Sequence, residues 1–100
     1  MEIQSIPISD IAPCPWQTRV IHEDQALHEL AESIKYHGLL QPILVRRVED
    51  EDRPYQIVAG ERRWRAHSLA GLDTIQALVC EMSDHETQVA CATENLQRKD

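Results

Sequence analysis

The stretch YQIVAGERRWRAHSLAG, residues 55–71, constrains this chain more than any other. Tyr55 to Ala59 is a run rich in branched residues that reads as a strand, and a single glycine, Gly60, separates it from a segment with helical spacing. In that segment Ala66, Leu69 and Ala70 form a short apolar stripe, and Gly71 is a natural C-terminal stop. A strand delivered to the first turn of a helix through one glycine requires both element types in one core. It also brings the helix amide end, with its positive dipole, to a point where a backbone without Cβ lets an anion approach. That is a phosphate-binding arrangement, although Gly60 fits neither a Walker A loop nor a GxGxxG fingerprint.

Arg62, Arg63 and Arg65 place three of the chain's 10 basic residues within four positions, against 17 acidic residues and a net charge of −7. Such a local excess reads either as a phosphate-facing cluster or as an exposed helix face paired with surface carboxylates. The overall acidity argues against strong sequence-blind attraction to a nucleic-acid backbone, so residues 1–100 alone are expected not to bind duplex DNA tightly.

The remaining elements follow from period and punctuation. Ile3, Ile6 and Ile8 predict a first strand ended by Ser9 and Asp10, and the prolines flanking Cys14 predict a loop over residues 12–22. Leu27, Leu30, Ala31 and Ile34 share one helical face, with Glu23 and Asp24 near its start and Gly38 at its end. Pro42 to Val48 predicts a strand that pairs with Tyr55 to Ala59 as an antiparallel hairpin with an acidic tip. Thr74 to Val79 predicts another strand, and Ser83 with Glu86 forms a capping box opening a last helix through Val89, Ala92, Thr93 and Leu96. The order β, α, β, β, α, β, α predicts an α+β domain, a small mixed sheet flanked by helices.

One hundred residues suit one core, so residues 1–100 are taken as a single domain. The chain lacks an apolar run of membrane-spanning length and a signal-peptide pattern, which predicts a cytoplasmic protein without a membrane partner. Cys14, Cys80 and Cys91 are odd in number, widely spaced and without a CxxC pair, so three reduced thiols are expected, with Cys80 and Cys91 as small buried hydrophobes. Glu94 and Asn95 offer oxygen donors that suit a hard cation such as magnesium, or else form a solvated helix end. Glu61 reads as a first-turn carboxylate or as a catalytic group, and Trp16 and Trp64 as core residues or stacking platforms.

Taken together, PCPWQTR, the helix ending in HGLLQPILVR, the elbow YQIVAGERRWRAHSLAGLDTI and the terminal ATENLQRKD span nearly the whole chain, and in this order it resembles the N-terminal domain of the ParB family of chromosome and plasmid partition proteins. The resemblance implies a ParB/sulfiredoxin-like fold and a CTP-binding, slowly CTP-hydrolysing switch domain that closes as a dimeric sliding clamp on DNA. It favours the phosphate reading of the arginines. Gly60, Arg62 and Arg63 match the family's triphosphate box, Glu61 the carboxylate on which hydrolysis depends, and Glu94 and Asn95 the pair supporting Mg2+ and the phosphates, Asn95 also counting among the nucleotide contacts. Gln41, Gln17 and Arg19 are implied nucleotide-pocket residues, with Thr18 in place of the usual proline and Ile21 in place of a hydroxyl residue.

The implied partners are a second copy, DNA through a helix-turn-helix domain following ENLQR, and a partition ATPase; neither that domain nor the family's C-terminal dimerisation segment is among these residues. The implied location is cytoplasmic and nucleoid-associated. Two alternatives share the fold or the family: a nucleotide-dependent kinase of free serine, and a DNA-binding accessory with a vestigial nucleotide pocket. Sulfiredoxin thiol chemistry is excluded because GERR stands where that enzyme needs a cysteine.

Overall fold

Asp24 starts the first helix by accepting a 2.8 Å hydrogen bond from the Leu27 amide, and Gly38 ends it at φ 79°. The computed structural model describes residues 2–16, 23–38 and 41–97, the last four by their backbone. Strands β1 (Glu2–Pro7), β2 (Ile11–Ala12), β3 (Ile43–Arg47), β4 (Tyr55–Ala59) and β5 (Thr74–Cys80) form a sheet of order β1-β5-β3-β4-β2. Helices α1 (Gln25–His37), α2 (Glu61–Leu69) and α3 (Asp84–Gln97) complete the domain.

The sheet is mixed. β1 pairs antiparallel with β5 and β3 with β4, whereas β3 runs parallel to β5 and β2 to β4. Antiparallel β3 and β4 need only the short acidic turn, where the Asp50 carboxylate accepts from the amides of Asp52 and Arg53 at 2.9 and 3.1 Å. Parallel β3 and β5 need a crossover, supplied by β4 and α2. The predicted α+β class, the hairpin and the three helices all stand.

Ile6, Ile43, Val45, Ile57, Ile75 and Val79 make the centre of one apolar cluster, with Trp64 packed against it. Leu27, Ala31 and Ile34 of α1 close on Ala66 of α2 in a second. Adjacent strand residues point to opposite faces, so burial of both Ile57 and Val58 means that β4 is covered on both sides. α3 packs on β4, and its start shows both arms of the capping box: Ser83 N–H to Glu86 Oε1 at 3.0 Å and Glu86 N–H to Ser83 Oγ at 3.1 Å.

Three expectations need correction. Ile8 leaves the first strand for a 3-10 turn (Ile8–Asp10), its amide bonded to the Asp73 carbonyl at 2.9 Å. Ala12, expected in a loop, belongs to β2, which pairs Ile11 with Tyr55 and Ala12 with Gln56. A two-residue strand has no detectable period, and its partner lies far along the chain. Finally, the three cysteines are not all thiols. Cys14 and Cys91 are joined as a disulfide, while Cys80 is free and buried. The reason is topological: β2 pairs with β4 and α3 packs on β4, so the segment leaving β2 meets the buried face of α3 across 77 residues.

His67 is 3% exposed on α2, and its Nδ1 donates to the Arg63 carbonyl at 2.9 Å, which selects the Nδ1–H tautomer. Burial lowers its pKa from the ordinary 6.5, opposed by that bond. The unfolded chain therefore takes up a proton near 6.5 that the native state refuses until lower pH, so stability falls as pH drops below that value and is flat with respect to this group above it. Urea unfolding between about pH 5 and 7.5 should show this slope, and His67→Gln should flatten it relative to the parent protein.

Candidate functional site

The elbow between β4 and α2 is built around Gly60, which sits at φ 103° and ψ 29° with its carbonyl accepting the Trp64 amide at 3.0 Å. A Cβ there would lie 2.6 Å from Ile43 Cγ2 and 3.2 Å from Arg63 Nη2. Backbone sign and crowding both require glycine. The amides of the first helical turn have no acceptor within the helix, so α2 carries its electropositive end to this point.

Each called residue at the elbow has a defined place. Arg63 Nη1 donates to the carbonyls of Gln41 and Pro42, both at 3.2 Å, and so fastens the segment before β3 onto the first turn of α2. Gln41 is exposed beside it. Arg62 lies 3.6 Å from Asp24 Oδ1, joining the start of α2 to the cap of α1. The Leu27 amide chiefly, with Arg62, holds the Asp24 carboxyl below its usual value. Glu61 is 6% exposed, a carboxylate set into the wall of the elbow. Arg65 instead leans on the Trp64 ring, 5.9 Å from its centroid, and Trp64 donates from Nε1 to the Ile8 carbonyl at 3.4 Å. Trp64 is thus half-buried, packed against the first apolar cluster.

The structure therefore brings Gly60, Glu61, Arg62, Arg63 and Gln41 together at one corner. Glu94 and Asn95 fall within α3, their side chains outside the described atoms, and Gln17 and Arg19 lie outside the described residues altogether. A separate concavity of about 690 Å³ is lined by Ile8, Arg53, Trp64, Ser68 and Leu72 among others and contains none of the residues implied for the nucleotide, the metal or hydrolysis.

Sequence reasoning missed Arg46. It is 5% exposed, donates from Nε and Nη2 to Gln56 Oε1 at 2.9 and 2.7 Å and from Nη1 to the Met82 carbonyl at 3.1 Å, and pairs with Asp84 Oδ1 at 2.8 Å. Its guanidinium also lies 5.5 Å from the centroid of the Trp16 ring. One side chain thus ties β3 and β4 to the start of α3 and to the segment after β2. An arginine in the middle of the branched run 42–48 was the available signal, since a charge there needs partners from whatever covers that face.

Fold and elbow define an α+β domain of the ParB/sulfiredoxin type, with arginines gathered at a glycine-initiated helix. The ParB N-terminal domain matches residues 1–96, and the chain belongs to that family. It is 48% identical over 98 residues to stage 0 sporulation protein J of Bacillus subtilis, an alignment covering 98% of this chain and 34% of that protein. The chain thus spans about a third of the length of the curated relatives it matches. The C-terminally truncated chromosome-partitioning protein ParB of Caulobacter crescentus, complexed with CTP-gamma-S, superimposes with a TM-score of 0.84 at 42% identity, over 100% of this chain and 56% of that one. The same protein complexed to the centromeric parS site gives 0.82 at 41%, over 97% and 49%. Sulfiredoxin of Arabidopsis thaliana gives 0.71 at 28%, over 90% and 97%.

Proposed function

We propose that this chain is the nucleotide-binding switch domain of a ParB-type partition protein, taking CTP at the Gly60 elbow. The observation carrying this reading is the corner itself: Gly60, the amide end of α2, Arg62, Arg63 and the Gln41 segment converge in a fold whose C. crescentus counterpart was crystallised with a CTP analogue. The donor set fits a triphosphate: the amide end of α2 offers backbone donors, and the guanidiniums of Arg62 and Arg63 supply charge beside it. Glu94 and Asn95 are the residues to hold Mg2+ beside the phosphates, and Gln17 and Arg19 extend the nucleotide pocket. Mg2+ would supply charge neutralisation on the phosphates. Glu61 serves hydrolysis by orienting the attacking water, a slow CTPase activity.

The same reading makes the domain part of a longer partition protein. Two copies close as a clamp on DNA bound by a following helix-turn-helix domain, a partition ATPase acts on the assembly, and the protein resides on the nucleoid in the cytoplasm. Nucleotide biases the direction in which residues 92–100 leave the core, since a ligand shifts an equilibrium by its differential affinity for the two arrangements. Titration calorimetry with CTP, ATP, GTP and UTP, each with and without magnesium, tests the nucleotide site. Magnesium-dependent heat with CTP alone is expected. Absence of heat with all four would mean a vestigial pocket, and preference for an adenine nucleotide with turnover of free serine would mean the kinase.

A further inference from the structure

We propose that Cys14 and Cys91 form a reversible redox site whose oxidised state pins α3 to the segment leaving β2. The pair joins two parts of the domain with very different constraints. Cys14, 5% exposed, lies between Pro13 and Pro15 just after β2, and Cys91, 3% exposed, lies on the face of α3 that also buries Thr87 one turn earlier. Cys91 Sγ also lies 3.6 Å from the Val58 carbonyl, so the bond sits directly over β4. The same two segments meet a second time at Arg46, which holds Asp84 at the start of α3 while stacking near Trp16. That second link is an ion pair with an exposed carboxylate and a ring contact, both of which open without chemistry. The disulfide does not.

Oxidation is a two-electron step with a peroxide as the oxidant. The sulfur of one cysteine attacks a peroxide oxygen, the O–O bond breaks, and a sulfenic acid and one water result. The second sulfur attacks the sulfenic sulfur, the S–O bond breaks, and the thiol proton leaves with the departing hydroxide as a second water. Two thiols and one hydrogen peroxide thus give one disulfide and two waters, and a dithiol reductant returns the two electrons and two protons. Cys80, buried with its Sγ–H donating to the Val45 carbonyl at 3.2 Å, takes no part.

The consequence falls on the last turns of α3. Glu94 and Asn95 follow Cys91 by three and four residues, so a covalent tether at Cys91 fixes the helix one turn before them. This part of the inference rests on the nucleotide reading above; the thiol chemistry does not.

The test has separable arms on the full chain. After peroxide and alkylation, cleavage following Glu81 and Glu86 separates Cys80 from Cys91 for mass spectrometry; a linked peptide pair containing Cys14 and Cys91, with Cys80 alkylated, is expected, and dithiothreitol should return three alkylated cysteines. Hydrogen exchange without nucleotide should be about tenfold slower over residues 88–97 in the oxidised protein, a difference lost in Cys91→Ser and in Cys14→Ser and kept in Cys80→Ser. Three alkylatable thiols after peroxide, a link through Cys80, or equal exchange in the two redox states would each overturn the proposal. With CTP, exchange over residues 92–100 should change in the reduced protein and not in the oxidised one; an equal change in both states would also overturn it. A protein binding CTP in neither state would remove the nucleotide reading and leave the thiol results standing.

Discussion

Gly60→Ala is expected to cost this domain a large part of its stability. The position combines a left-handed backbone, at φ 103°, with a Cβ direction aimed at Ile43, whose Cγ2 would be 2.6 Å away and whose own Cβ would be 3.0 Å away. An L-residue in left-handed backbone costs about 1–2 kcal/mol, and forcing extra volume into packed surroundings about 1–3 kcal/mol more. Ile43 is fully buried in the central sheet and cannot swing aside as a surface side chain would. Gly71→Ala is the matched control, because Gly71 is also left-handed, at φ 79°, but its Cβ would meet nothing within 4 Å. Urea unfolding of the two variants should show the Gly71 change costing the backbone term and the Gly60 change clearly more. Equal losses would mean that Ile43 accommodates the methyl and that glycine is required at the elbow for its backbone alone.

That pair of glycines also marks where sequence reasoning succeeds. Asp24, Gly38, Gly60, Gly71 and the Ser83–Glu86 box are local signals, and each opens or ends the element that its chemistry favours. Where the physics is non-local, the sequence is silent. β2 exists because Ile11 finds Tyr55, and the disulfide because β4 is shared between β2 and α3; neither leaves a spacing rule in the chain. Arg46 is intermediate, since its position in an apolar run was visible but Gln56, Met82, Asp84 and Trp16 as its neighbours were not.

The candidate site divides the same way. Glycine followed by clustered arginines was legible as a strand-to-helix corner gathering positive charge, and Gln41 came to it through the family resemblance. The route from Gln41 to the corner, through the Arg63 guanidinium on two backbone carbonyls, is a tertiary contact that no motif encodes.

Arg63→Ala is expected to abolish or severely weaken CTP binding, and the geometry gives it two ways of doing so. The substitution removes a guanidinium at the amide end of α2, and it releases the Gln41 and Pro42 carbonyls that Arg63 Nη1 holds at 3.2 Å. A charge-assisted hydrogen bond to phosphate is worth about 1.5–3 kcal/mol, roughly ten- to hundredfold in affinity, before any loosening of the 41–42 segment is added. Arg63→Lys separates the two contributions. Lysine keeps the charge but cannot reproduce the planar fork, so it should bind CTP with intermediate affinity while exchange of the amides around 41–44 rises as in the alanine variant. Glu61→Gln, by contrast, should retain binding and slow hydrolysis, which sets the carboxylate apart from the arginine in role. Calorimetry reads the affinities of the three variants, hydrogen exchange the amides around 41–44 and phosphate release the hydrolysis, with circular dichroism to establish that each variant is folded. Unchanged CTP affinity in a folded Arg63→Ala protein would place the triphosphate away from the Gly60 elbow and end the assignment made from it.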